Sequence, residues 1–117
     1  MVRLENDLNI TGIDGAKIPV YIEGEAPEIL PDEYFTVSED YTSTAVSADN
    51  IARSYLYEFT LKFYTKNTER LYDVTIDAIN QLKAKGYDAS GIGYHSPTYK
   101  EWYARAVDVE KFEDLEE

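Results

Sequence analysis

Between Arg53 and Thr65 the chain alternates without a fault. Tyr55, Tyr57, Phe59, Leu61 and Phe63 take every second position, with Glu58, Thr60 and Lys62 between them. Successive side chains of an extended chain point to opposite faces, so this segment predicts a strand with one aromatic, buried face and one polar face. Such a strand needs neighbours and a cover for its apolar side. The sequence supplies a cover at once. Asn67-Thr68-Glu69 opens a helix, and Leu71, Tyr72, Thr75, Ile76, Ala78, Ile79 and Leu82 recur three and four apart across Glu69 to Lys85. Glu69 and Asp73 near its start, and Lys83 and Lys85 in its last turn, suit the helix dipole. Gly86 can take the left-handed stop.

The remaining elements are placed around this pair. Arg3 to Leu8 fits a short helix, with Leu4 and Leu8 one turn apart. Lys17 to Glu23 reads as a strand carrying Ile18, Val20 and Ile22 on one face. Pro19 within it cannot donate to a ladder and marks an edge or a strand start. Tyr34 to Asp40 is a second strand, with Phe35 and Val37 inward. Ile92 to Pro97 reads as a short strand and turn. Lys100 to Val109 is the last strand, apolar on both sides: Trp102, Ala104 and Ala106 on one, Tyr103, Val107 and Val109 on the other. Either both faces are covered or a bulge shifts the phase. The expected fold class is α+β, a mainly antiparallel β-sheet of about four strands with two helices packed on one face. Residues 1–112 form a single domain in this reading, and 113–117 an acidic C-terminal tail.

The bulk numbers narrow the function classes. The 117 residues suffice for one core, and a hydrophobic content of 44% excludes a disordered chain. There is no cysteine, which excludes a disulfide scaffold and any Cys-based zinc site. No apolar run approaches a membrane helix, and acids near the N-terminus give the expectation of no export signal. The net charge is -12. It is uneven: residues 1–50 hold 2 basic and 11 acidic side chains, 51–100 hold 7 and 5, and 101–117 hold 2 and 7. Such a chain repels nucleic acid and anionic lipid at long range, which argues against DNA binding through a basic face. The acidity serves solubility, or it makes a surface that lies next to DNA without sticking to it, or one that imitates DNA.

Catalytic patterns are absent. His95 is the only histidine. Paired with an acid such as Asp88 it could serve as a base, but it precedes Ser96-Pro97 in an expected turn, with no nucleophile spacing nearby. Gly91-Ile92-Gly93 lacks the third glycine and the helix of a phosphate loop and reads as a turn. Asp32-Glu33, Glu39-Asp40 and Glu113-Asp114 lack calcium-loop spacing. No cofactor, no metal and no enzymatic activity are expected.

Aromatic content is the remaining anomaly. The 11 Tyr, 4 Phe and 1 Trp exceed what a small core buries, so some must lie at an interface. The stretch Tyr41 to Asn50 is polar, small and nearly uncharged. It reads as a long hairpin loop, either an extended tip or an arm that orders on a partner. The candidate interface residues are therefore Tyr41, Thr42, Ser43, Thr44, Val46, Asp49 and Asn50 in that loop, with Tyr99, Trp102 and Tyr103 near the last strand.

At Ile18-Pro19-Val20-Tyr21, Asp49-Asn50 ahead of the long strand, Phe59-Thr60-Leu61-Lys62-Phe63-Tyr64-Thr65-Lys66 and Ile79-Asn80-Gln81-Leu82, the chain resembles a known family. These are the tail terminator, or tail-to-head joining (tail completion), proteins of long non-contractile-tailed bacteriophages. The likeness lies in element order and texture across most of residues 1–110. It implies a hexameric ring that caps the tail tube, ends its polymerisation and joins tail to head, with DNA passing through an acidic lumen. The implied partners are the chain itself, the major tail tube protein and a head-neck connector or stopper protein. The implied location is the virion tail at the head-tail interface, after synthesis in the host cytoplasm, with no membrane involved. The loop Tyr41 to Asn50 would be an arm reaching a neighbour or the lumen. Two rival readings stand beside it: an acidic DNA-mimic inhibitor of a DNA-binding protein, and a small enzyme using His95.

Overall fold

A computed structural model describes residues 3–46, 52–89 and 91–114. The order is a 3₁₀ turn at Leu4–Asn6, then β1 (Val20–Ile22), β2 (Glu33–Val46), β3 (Ala52–Thr65), α1 (Thr68–Ala84), β4 (Asp88–Ala89), β5 (Tyr94–Ser96) and β6 (Tyr103–Asp114). All strands belong to one mixed sheet of six, ordered β1-β2-β3-β6-β4, with β5 also on β6. Only β1 runs parallel to its neighbour; the other pairings are antiparallel.

The expected α+β class holds, while the element count is corrected. Among the described residues there is one α-helix. The N-terminal segment makes only a single 3₁₀ turn before Asp7, too short to propagate, and Leu4 and Leu8 are buried all the same. The sheet has six strands against about four expected: β5 lies within the short strand read at Ile92 to Pro97, while β4, only two residues long, is too short for a period to show. Pro19 stands just before the edge strand β1, where its carbonyl accepts from Phe35 N–H.

β3 carries the core as its alternation predicts. Tyr57, Phe59, Leu61 and Phe63 are buried, facing Phe35 and Val37 on β2 and Val107 and Val109 on β6. α1 lies over this face with Val74, Thr75, Ala78, Ile79 and Leu82 buried. Tyr72 of the expected stripe is exposed instead, its ring lying under the Arg105 guanidinium 4.4 Å away. Asn67 caps the helix by accepting from Glu69 N–H. Gly86, with φ +94°, ends it: its N–H reaches Lys83 O and that of Tyr87 reaches Leu82 O, the paired bonds of a Schellman stop.

The N-terminal segment is clamped to this layer. Gln81 exchanges two hydrogen bonds with the Asn9 backbone, each 2.8 Å, and Tyr87 OH donates to Asp7 at 2.6 Å. β6 pairs along β3 without a register shift. Both of its faces are covered where Ala104, Ala106, Val107 and Val109 are buried, so no bulge is needed to explain its pattern.

The hairpin is longer than its polar composition foretold. A 14-residue strand extends about 47 Å, whereas a 17-residue helix covers about 25 Å. The N-terminal half of β3 and its neighbours therefore project past α1, and the molecule measures 53 × 26 × 24 Å. Tyr41 to Val46, expected as loop, are strand paired with β3, because Tyr, Thr and Val favour the extended chain and β3 offers an equally long partner. Glu113 and Asp114, expected in the tail, lie in β6 opposite Tyr55 and Ser54.

Candidate interaction surface

One sheet face is packed against α1; the other carries the even-numbered residues of β3. Register places Glu58 opposite Glu110 of β6, and Glu110 opposite Asp88 of β4. The next row holds Thr60 opposite Asp108. Asp40 joins them from β2 at a bulge, where the register jumps between Glu39 and Tyr41. These five carboxylates line a shallow depression of about 540 Å³.

None of the five lies within ion-pair distance of a Lys or Arg among the described residues. Hydroxyls hold two of them in place. Thr60 Oγ1 lies within hydrogen-bond reach of both Asp40 and Asp108 and donates to one of them at a time, Ser38 donates to Asp40 at 2.9 Å, and Tyr94 donates to Asp108 at 3.0 Å. Burial, that hydrogen bond and the charges of Asp108 and Asp40 push the Tyr94 phenol above its ordinary value. Like charges directly opposite on neighbouring strands cost stability, so this row is not what a sheet would select for folding alone.

At the other end the same face is aromatic. Tyr34 stacks on Tyr64 at 4.7 Å, and Trp102 meets Tyr34 edge-on at 5.3 Å. Tyr21 closes the group at 5.9 Å from Tyr34. Lys66 Nζ lies 5.0 Å above the Trp102 ring while pairing with Asp32 at 3.6 Å and Glu101 at 3.5 Å. Burial, with Tyr64 and Tyr21 beside it, pushes the Tyr34 phenol up. This cluster seals the sheet end and uses up part of the aromatic surplus.

The sequence-derived interface residues do not converge on one spot. Tyr41 is 59% exposed on the acidic face, and Thr42 is exposed on the opposite side, its hydroxyl donating to Glu39. Ser43, Thr44 and Val46 lie in β2, opposite Leu56, Tyr55 and Ala52. Asp49 and Asn50 lie outside the described residues. Tyr99 is 73% exposed with Lys100 Nζ 5.3 Å from its ring, Trp102 is half-buried in the aromatic cluster, and Tyr103 is exposed on the helix side. Tyr41 pairs with Glu58 and Tyr103 with Thr65, seven positions apart on β3, or about 23 Å.

His95 and Asp88 are also separated. They pair with Arg105 and Glu110, five positions apart on β6, about 17 Å. The acidic row escaped the sequence reading. Its signal was Glu58 with Asp108 and Glu110 on polar-phase positions of two strands, visible only once the register joins them.

Among the described residues no group of three or more His, Cys, Asp or Glu is placed to hold a metal ion, and no helix is long and apolar enough to cross a membrane. No family model, no curated protein and no solved structure matches this chain.

Proposed function

We propose that this chain is a structural, non-enzymatic subunit of a long non-contractile phage tail. In this reading it assembles as a ring on the end of the tail tube, stops tube growth and joins the tail to the head, with DNA passing through the ring. The observation that carries the proposal is the row Glu58, Glu110 and Asp88 with Asp40 and Asp108 beside it, unneutralised by any cation among the described residues. A wall of fixed negative charge lets phosphates pass without binding. The projecting hairpin supplies reach toward a neighbouring subunit. The element order resembling tail terminators points the same way.

A direct test mixes the purified chain with polymerising tail tube protein and follows tube length by electron microscopy. Capped tubes of limited length bearing a terminal ring support the reading. Tubes that grow at the same rate to the same lengths with no terminal density contradict it.

The same acidic row keeps a second reading in view, an inhibitor that imitates DNA. That reading requires tight binding of a DNA-binding protein that weakens steeply as salt rises.

A further inference from the structure

We propose that the outer edge of β2 beyond β1 is a strand-addition site for an extended, basic segment of another protein. The inference rests on the edge itself and does not depend on the tail reading. β1 covers β2 only from Phe35 to Val37. From Ser38 to Val46 the outer side of β2 pairs with nothing among the described residues. Open edges are usually blunted by charge, proline or bulges. Glu39 and the Asp40 bulge do this at one end, but Tyr41-Thr42-Ser43-Thr44-Ala45-Val46 is uncharged, free of proline and rich in strand formers.

Register fixes which groups are free. Phe35 N–H and Val37 C=O point outward, to Pro19 and Glu23, and their β3 partners are Phe63 and Leu61. β3 is continuous, so Phe59, Tyr57 and Tyr55 share that phase, and their β2 partners Glu39, Thr42 and Thr44 also turn both backbone groups outward. An incoming strand finds these amides and carbonyls ready to pair.

Charge selects the occupant. A second copy of the same edge supplies no cation to it, since Ser38 to Val46 holds Glu39 and Asp40 but no Lys or Arg. A segment with Lys or Arg on alternate positions sets its cations on the acidic face, beside Asp40 and, one strand further in, Glu58, neither of which has an ion-pair partner among the described residues. Exposed Tyr41 and half-buried Leu56 on that same face offer apolar contact to the aliphatic stems of those side chains.

The test is titration of a labelled peptide of alternating threonine and lysine into the full chain, read by fluorescence anisotropy. Its partner experiment uses the same peptide with glutamate for lysine. The expected result is binding of the lysine peptide alone, weakened by added salt and reduced about tenfold or more in Thr44→Pro, which removes one outward N–H without touching the β3 ladder. Thr44→Ala keeps that N–H and should bind as the parent does. Should Thr44→Pro fail to fold, amide exchange in the parent decides: protection of Thr42 and Thr44 on peptide addition is expected. Equal binding of both peptides, binding of neither, or unchanged amides at Thr42 and Thr44 would overturn the proposal. So would a concentration-dependent dimer abolished by Thr44→Pro, which would make the occupant a second copy.

Discussion

Arg70 Nη2 donates to Glu33 Oε1 at 3.0 Å and Arg70 Nε donates to Glu33 Oε2, joining the first turn of α1 to the first residue of β2. The carboxylate also accepts from Ile13 N–H at 3.1 Å and from the Thr65 hydroxyl at 3.2 Å. One side chain thus ties the N-terminal loop, both hairpin strands and the helix. The Glu33 side chain is only 6% exposed, and its charge is matched by a guanidinium held at 25%. The hydrogen bond to Glu33 raises the Arg70 pKa further, against the opposing effect of burial.

Removing one partner of a buried pair leaves the other charge stranded. Glu33→Ala is expected to cost about 2 to 4 kcal/mol, below the fully buried range because Arg70 reaches solvent. Chemical denaturation measures it. A loss under about 0.5 kcal/mol would show that the pair contributes little beyond packing.

Alkaline pH should unfold this protein through its phenols. Burial, a hydrogen bond to Asp7 and the charges of Asp7 and Glu5 all push the Tyr87 phenol up. Burial also raises Tyr34. A group whose folded pKa is raised contributes stability that is fully present below its unfolded value and is lost as pH rises past it. Stability should therefore hold up to the ordinary phenol value of 10.0 and fall beyond it, by at most about 1.4 kcal/mol per pH unit for each group. Tyr87→Phe removes its share of that fall. An unchanged alkaline slope in the variant would contradict the assignment.

Gly93 closes the turn read at Gly91-Ile92-Gly93. Its φ is +82°, and a Cβ there would lie 2.6 Å from Ala106 O and 3.0 Å from Val107 Cγ2. The glycine lets the turn before β5 press against β6, where Arg105 donates to Gly93 O at 2.9 Å and to Ile92 O at 2.8 Å. Gly93→Ala should destabilise by about 2 kcal/mol or more, from left-handed backbone and the clash together. Gly91→Ala at φ +72°, with nothing within 4 Å, should cost less. Paired thermal melts would show the order, and the reverse order would refute this account.

Much of the fold was legible because it rests on periods. The phase of β3, the helix and its glycine stop come from spacing in one stretch of chain. Tyr41 to Val46 misled because small polar residues mark loops as often as edge strands, and only pairing with Ala52 to Glu58 settles them as strand. The acidic row was hidden for a related reason: Glu58, Asp88 and Glu110 are far apart in sequence and meet only through register. Trp102 pointed to an interface as an aromatic in surplus, yet Tyr34 and Lys66 occupy its ring.

Stability and assembly should therefore separate. Trp102→Ala removes a packed ring and should lower stability by about 2 to 3 kcal/mol. Tyr41→Ala and Tyr99→Ala, being exposed, should change it by less than about 0.5 kcal/mol while weakening assembly on a tube. Denaturation curves run beside tube-capping assays would reveal the split, and a large stability loss in Tyr99→Ala would count against it.

The central claim is tested most directly by electron microscopy of phage particles produced with and without this protein. Free heads and separate tails of abnormal or variable length in its absence are the predicted result. Heads joined to tails of normal length in its absence would contradict the account.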